Sequence, residues 1–206
     1  LRVEYVELYL GDRYRTALQA EQLGTGHAVM QAEKFMKEFT DGNTLVLCGD
    51  APFMDSETIA NALKLHEAQE NAVTVITANL EQPKGYGRIL RTETGIAAIV
   101  EEKDATEAQR EIHEVNSGAY WFKTKALLEL LGGLSQSNAQ GEYYLTDVLG
   151  IARNQGKRVL GLKAEDASEC LGVNSRRQLA EATKVLQQRI NGPATQYRWH
   201  APTQSL

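Results

Sequence analysis

Two short segments near the start of the chain carry residues whose types and spacing could do chemistry. In Gln19–Ala28, Gly24-Thr25-Gly26 comes just before an alanine-rich helical pattern, and in Leu47–Pro52 an apolar run ends at Gly49 and the lone carboxylate Asp50. A glycine-rich turn lets backbone N–H groups approach a ligand. Mg²⁺ usually takes one or two protein carboxylates together with phosphate oxygens. The pair predicts a site for a nucleotide and its metal, although each motif alone also fits a plain turn or a helix cap.

The elements that must position these segments alternate between helical and strand patterns, which is typical of an α/β fold. Ligands of such sheets bind outside the carboxyl ends of strands, where Asp50 is expected. The patterns predict helices over Arg2–Leu10, His27–Phe39, Asp55–Glu70, Thr106–Ile112, Lys123–Leu131, Thr146–Gln155 and Ser175–Ile190. They predict strands over Tyr14–Leu18, Leu45–Cys48, Ala72–Ala78, Arg88–Arg91, Ile96–Glu101, Val115–Phe122 and Arg158–Lys163.

Length and composition indicate one globular domain, which we place at residues 1–190 with a tail at 191–206. The net charge of −5, with both signs interspersed, argues against a nucleic-acid or membrane surface. Two cysteines are too few for a disulfide framework and fit a cytoplasmic protein, and Cys48 is predicted to be a core residue. His27, His66 and His113 form no cluster and are predicted to be structural. Because residue 1 falls inside a helical pattern, we expect an N-terminal portion to be absent.

Seven motifs, in one order and at similar spacing, resemble a known family. The chain resembles the uridyltransferase domain of bacterial bifunctional N-acetylglucosamine-1-phosphate uridyltransferases/glucosamine-1-phosphate acetyltransferases from about Val6 to Ile190. The motifs are Gln19–Ala28, Leu47–Pro52, Gly85-Tyr-Gly-Arg-Ile89, Val100–Thr106, Val115-Asn-Ser-Gly118, Asn138–Asp147 and Gly172-Val-Asn174.

The resemblance implies a Rossmann-like α/β nucleotidyltransferase fold with a mixed, mostly parallel sheet flanked by helices. It implies transfer of UMP from UTP to N-acetylglucosamine 1-phosphate, with Mg²⁺, to give UDP-N-acetylglucosamine for cell-wall and lipopolysaccharide precursors. The family's glycine-rich triphosphate loop is expected before residue 1, and its hexapeptide-repeat acetyltransferase domain is not found after Ile190. We therefore expect this chain alone to be inactive, and a full-length parent to be a homotrimer that also acetylates glucosamine 1-phosphate.

Carried over position by position, the family pattern assigns Gln19, Gly24 and Thr25 to the uracil. The side-chain amide of Gln19, together with nearby backbone groups, can match the two carbonyl acceptors and the N–H donor between them in uracil. The pattern places Cys48, Gly49 and Asp50 beside the ribose and metal. Asp50 is the catalytic metal ligand and Asn174 the second protein ligand, although Asn174 would otherwise be interpreted as a residue preceding a helix.

The same carry-over assigns Gly87, Glu101 and Asn116 to the sugar, and Tyr144 and Thr146 to the region of the acetamido group and phosphate. Without the resemblance, Gly87 would be interpreted as a hairpin glycine, Glu101 as a solvated glutamate and Asn116 as a strand-bulge residue. Tyr144 would be interpreted as a core residue and Thr146 as a helix cap.

Three other functions stay open at this point. A related nucleotidyltransferase could use another sugar phosphate, although the Glu101 and Asn116 motifs argue against it. The chain could instead be a nucleotide-binding or regulatory module without turnover. A metal-dependent glycosyltransferase would share the topology but usually carries an Asp-x-Asp pair, whose second aspartate is missing from Asp50-Ala-Pro52.

Overall fold

A computed structural model of the chain describes residues 3–173 and 175–191. The candidate metal ligand Asn174 and residues 192–206, which include most of the predicted tail, lie outside this part. The helices are α1 (Val3–Leu10), α2 (Thr25–Gln31), α3 (Glu33–Met36), α4 (Ser56–Ala68), α5 (Glu107–Arg110), α6 (Thr124–Leu131), α7 (Asp147–Asn154) and α8 (Arg176–Asn191). The strands are β1 (Asn43–Leu47), β2 (Val73–Asn79), β3 (Arg88–Thr92), β4 (Gly95–Val100), β5 (Glu114–Lys123) and β6 (Val159–Lys163).

Six strands form one sheet in the order β4-β3-β5-β2-β6, and β1 pairs with β5 outside this path. Val73, Val75 and Phe122 face a core that is covered by α6 and α7, whereas Ile76 and Ala119 face α4. Because both faces are covered, β2 is buried along its length except at Asn79. The mixed sheet flanked by helices is the fold class that the sequence predicts.

The expectation of a mostly parallel sheet is wrong for the described residues, where only β2 and β6 pair in parallel. β1, β2 and β6 do run in one direction, as strands joined through helices should. However, β5 enters between β1 and β2 in the opposite direction, and the β3–β4 hairpin adds another antiparallel pair. Alternation of helices and strands reports strand direction along the chain, but it does not show which strands become neighbours.

The strand predicted at Tyr14–Leu18 is also wrong, since these residues follow a 3-10 turn at Gly11–Arg13 without forming a strand. The single helix predicted over His27–Phe39 is instead the pair α2 and α3, with Ala32 between them. By contrast, the helix predicted over Asp55–Glu70 is confirmed as α4, and the side chain of Asp55 caps it by accepting a hydrogen bond from the N–H of Glu57.

A gap beside β5 creates space for a site. On one edge of β5, β3 pairs only at Val115, and β1 pairs from Ala119 onward. The three residues between them, 116–118, therefore have no strand neighbour on that edge. The end of β1 and the start of β3 open towards this gap, so the segments that follow Leu47 and precede Arg88 both reach it.

Candidate functional site

A cavity of about 540 Å³ occupies the gap beside β5. Its walls come from seven separate stretches of the chain, which the fold brings together at the carboxyl end of β1 and the amino end of β3. Seven of the residues singled out by sequence lie on these walls: Thr25, Cys48, Asp50, Gly87, Glu101, Asn116 and Thr146. The cavity thus brings the glycine-rich turn and the strand-end carboxylate to one place.

The turn at Gly24 is locked against the segment 143–145. Gly26 N–H donates to Tyr143 O at 2.8 Å, Tyr143 N–H donates to Leu23 O at 2.8 Å, and Leu145 N–H donates to Thr25 Oγ1 at 3.1 Å. Gly24 has φ +107°, and a Cβ there would lie 2.7 Å from Tyr143 O. Only glycine fits both the backbone angle and this close approach.

Gln19 and Gly24 lie behind this wall and do not line the cavity. The Gln19 amide nitrogen donates to Gly24 O at 3.0 Å and lies 3.2 Å from Nδ1 of His27. Gln19 therefore braces the turn through its amide nitrogen.

Asp50 follows β1 on the cavity wall, is exposed, and its carboxylate makes no hydrogen bond or ion pair with any residue in the described ranges. The backbone carbonyl of Asp50 accepts a hydrogen bond from Val173 N–H at 2.8 Å. This bond brings the segment that precedes Asn174 in the sequence against Asp50. The neighbouring Gly49 is exposed and does not line the cavity.

Cys48 is an exposed residue of the cavity wall, so the prediction that it belongs to the core is wrong. The strand ends at Leu47, one residue earlier than its apolar pattern indicates. The sulfur lies against Gly118, where a Cβ would stand 2.6 Å from it. Burial of the sulfur, followed by the charges of Asp50 and Glu101, raises the pKa of the Cys48 thiol. Cys48 is therefore a neutral thiol and not a nucleophile at neutral pH.

Glu101 and Gly87 form the opposite wall. Thr146 Oγ1 donates to Glu101 Oε1 at 2.9 Å, and Glu101 Oε2 lies 3.4 Å from where a Cβ on Gly87 would be. Burial raises the pKa of Glu101, with smaller contributions in the same direction from Asp147 and Asp104, and the Thr146 hydroxyl opposes them. Thr146 is also the N-cap residue of α7 but makes no capping bond with its side chain, which is directed to Glu101.

Asn116 sits on the stretch of β5 that lacks a neighbour. Its Nδ2 donates to the hydroxyl of the buried Tyr120, and its Oδ1 accepts from Gly118 N–H at 3.0 Å. Its backbone N–H donates to Gly87 O at 2.9 Å. The side chain is thus fixed in place, with one amide hydrogen and one oxygen lone pair left for a ligand.

Tyr144 is buried and does not line the cavity. Its hydroxyl accepts a hydrogen bond from Nε2 of Gln140, and Gln140 does line the cavity. Sequence reasoning did not single out Gln140, Gly85, Tyr86, Ser117, Gly118, Tyr120 and Gly172, all of which line the cavity. Several of them belong to motifs already quoted, so the signal was their membership of a motif. Their residue types alone gave no indication.

Comparison with known proteins identifies the family to which this chain belongs. The profile of the family described as nucleotidyl transferase matches residues 7–197. The chain belongs to the nucleotidyl transferase family.

Nucleotidyl transferase relatives are similar over most of this chain. The bifunctional protein GlmU of Acetivibrio thermocellus is 48% identical over 190 residues, which are 92% of this chain and 41% of that protein. The proteins of the same name from Limosilactobacillus fermentum and Syntrophotalea carbinolica are 49% and 50% identical, over 88% and 85% of this chain and 40% and 38% of their own lengths. The chain therefore spans about two fifths of the length of these relatives.

The free carboxylate on the cavity wall of this nucleotidyl transferase fits a hard cation that the protein and a bound ligand would hold together. Among the residues that the structure describes, no three His, Cys, Asp or Glu side chains gather into a metal site. A single free carboxylate on the wall of an open cavity is instead the arrangement in which Mg²⁺ takes the rest of its ligands from phosphate and water. In the same described residues, no helix is long and apolar enough to cross a membrane.

Proposed function

We propose that this chain carries the uridyltransferase site that joins UTP and N-acetylglucosamine 1-phosphate into UDP-N-acetylglucosamine and pyrophosphate. One observation carries the proposal: the fold gathers seven of the predicted nucleotide, metal and sugar residues around one cavity. Similarity to three proteins named GlmU over 85–92% of this chain supports it. The reaction would take place in the cytoplasm, where unpaired cysteines such as Cys48 and Cys170 remain reduced.

The turn at Gly24 would hold the uracil. Gln19 uses its amide nitrogen to brace the turn, so its amide oxygen can accept the N3–H of the base. Cytosine has an acceptor at N3 and would face this oxygen with a lone pair. The geometry therefore favours UTP over CTP, because an unpaired buried polar group is costly.

The sugar would lie between Glu101 and Asn116. A carboxylate oxygen of Glu101 can accept a sugar hydroxyl, and the Asn116 amide can both donate and accept. The close backbone at Gly87 leaves room for the ring. This half of the cavity orients the sugar phosphate, which is the main contribution of a protein to in-line phosphoryl transfer.

In the proposed reaction, an oxygen of the sugar phosphate attacks the α-phosphorus of UTP. A new P–O bond forms while the bond to the pyrophosphate oxygen breaks, and pyrophosphate leaves. Asp50, together with Asn174, would hold Mg²⁺, which when bound neutralises the phosphate charges. Asp50 has no competing cation partner among the described residues, so its carboxylate is available to a cation in the cavity.

A pyrophosphate-release assay tests the proposal. UTP with N-acetylglucosamine 1-phosphate should give turnover that requires Mg²⁺, and CTP should be poorer by roughly 10³-fold. Asp50→Ala should abolish turnover without loss of fold. Asp41 is an exposed aspartate outside the cavity, so Asp41→Ala should leave turnover unchanged. Because we expect this chain alone to be inactive, the assay is run on the full-length parent that the resemblance implies. Equal use of CTP, or near-normal activity of Asp50→Ala, would contradict the assignment.

A further inference from the structure

Tyr86 connects the two walls of the cavity. It lies on the loop that precedes β3, between Gly85 and Gly87, and its hydroxyl accepts a hydrogen bond from the backbone N–H of Gly172 at 3.2 Å. Gly172 belongs to the opposite wall. The Tyr86 side chain therefore reaches from the sugar side of the cavity to the segment beside Asp50.

The loop that carries Tyr86 is anchored by buried charge. Gly85 N–H donates to Glu102 Oε2 at 3.0 Å, and Arg88 Nη2 lies 2.8 Å from the same oxygen. The Arg88 side chain is 2% exposed and also donates through Nη1 to the carbonyl oxygen of Tyr86. Since a buried guanidinium must keep its partners, the loop has little freedom to move.

The far end of the connection reaches Asp50 through one further bond. Val173, next to Gly172, donates its N–H to the carbonyl oxygen of Asp50 at 2.8 Å. Asp50 itself lies on an exposed segment after β1, which β5 no longer supports beyond Leu47. The 172–173 segment thus holds the Asp50 backbone through this hydrogen bond.

We propose that Tyr86 is a positioning residue for the metal carboxylate: its hydroxyl holds the 172–173 segment, which in turn holds Asp50. The inference rests on the proposed function for its metal, but the support that it describes exists without any ligand. It also links the two substrates, because the loop that contacts the sugar at Gly87 is the loop that positions the metal side.

Tyr86→Phe tests this support because it removes only the hydroxyl. The first measurement is amide hydrogen exchange by NMR at Val173, whose own partner Asp50 O is untouched by the substitution. We expect exchange at Val173 to become about tenfold faster. The second measurement is Mn²⁺ binding in the presence of UTP by electron paramagnetic resonance, for which we expect affinity to fall about fivefold. Tyr14→Phe, an exposed tyrosine far from the cavity, is the matched control and should change neither.

The two measurements separate failure of the inference from failure of the proposed function. Unchanged exchange at Val173 in Tyr86→Phe would overturn the support, whatever the metal result. Faster exchange with unchanged Mn²⁺ affinity would overturn the role in positioning the metal. If the unsubstituted protein and Asp50→Ala bound Mn²⁺ equally, the proposed metal site would fail and the metal part of the inference with it. Circular dichroism of Tyr86→Phe confirms that the comparison is made on folded protein.

Discussion

Glu101 is a carboxylate kept in surroundings that disfavour its charge. Burial and the nearby Asp147 and Asp104 raise its pKa, so the folded protein binds a proton at a pH where the unfolded chain has released it. Stability therefore falls as pH rises from the ordinary glutamate value through the raised one, and above this window the full cost is present. A carboxylate retained at such a cost is expected at a site that needs its charge.

Replacing this carboxylate with an amide should stabilise the protein and impair sugar binding. Glu101→Gln keeps an oxygen for the Thr146 hydroxyl but removes the buried charge. At pH 8 we expect a gain in unfolding free energy and a higher Tm, because the variant has no buried charge at this position. The gain should disappear below about pH 4, where Glu101 is protonated in both states. Thermal unfolding across pH measures it, with the exposed Glu93→Gln as control, and an equal gain at every pH would refute the explanation.

The individual residues of the site were predictable to the extent that their side chains carry the chemistry. Asp50, Glu101 and Asn116 stand out by type and motif, and all line the cavity. Tyr86 could not be assigned from sequence, because its contact with Gly172 joins loops 86 residues apart. Cys48 was mistaken for a core residue because an apolar pattern does not show where pairing with β5 stops.

At the level of elements, the turn before α2 depends on a glycine that no other residue should replace. Gly24→Ala adds a Cβ 2.7 Å from Tyr143 O at a φ of +107°. We expect a loss of about 2–4 kcal/mol in unfolding free energy, from backbone strain and steric conflict together. Gly156→Ala has φ +70° but open space around the Cβ, so it should cost only about 1 kcal/mol. Chemical denaturation compares them, and equal losses would show that contact with the 143–145 segment contributes nothing.

The packing of α4 on β2 contains a pH-sensitive group. His66 is fully buried, and its Nδ1 lies 3.0 Å from the hydroxyl of Thr74, which itself accepts from Asn71. A neutral ring fits this contact in either tautomer, because a hydroxyl can accept two hydrogen bonds or donate its own proton to Nδ1. Burial, with a smaller effect from Lys123, lowers the pKa of His66 to about 4.

His66 should make the protein less stable in weak acid. Between pH 6.5 and about 4 the unfolded chain binds a proton that the folded protein excludes, so stability falls as pH falls, by at most about 1.4 kcal/mol per pH unit. His66→Gln should remove this part of the slope and leave the pH dependence of stability above pH 7 unchanged. Urea unfolding at several pH values measures it. An unchanged slope in the variant would show that His66 does not titrate on unfolding.

The elements themselves were largely predictable, but their arrangement was not. The caps and apolar periods that define α4 and β2 are local, and both elements occur close to the predicted positions. The antiparallel entry of β5 between β1 and β2 is a long-range choice that no local pattern contains. It also produces the gap at 116–118, so the site itself could not be located before the pairing was known.

At the scale of the whole molecule, a ligand in this cavity would contact parts of the chain that are far apart in sequence. The walls come from the Gly24 turn, the end of β1, the Gly85–Gly87 loop, Glu101 after β4, β5, the segment that leads into α7 and the 170–172 segment. Ligand binding stabilises a folded protein by an amount set by its concentration relative to Kd. Because the ligand would contact all of these segments, it should stabilise the whole fold against unfolding and not only one loop.

UDP-N-acetylglucosamine should therefore raise the Tm of the whole domain, and Mg²⁺ should enlarge the effect. At one hundred times Kd the expected stabilisation is about 2.7 kcal/mol, or roughly 5–10 °C for a domain of this size. Differential scanning fluorimetry measures it without requiring turnover.

UDP-glucose, which lacks the acetamido group, should give a smaller shift if the Gln140 and Tyr144 side of the cavity recognises that group. Asp50→Asn should keep a shift with the sugar nucleotide but lose the contribution of Mg²⁺, because only the metal carboxylate is neutralised. Equal shifts with UDP-glucose would move sugar selection away from this cavity, and a Mg²⁺ effect that survives Asp50→Asn would place the metal on other residues.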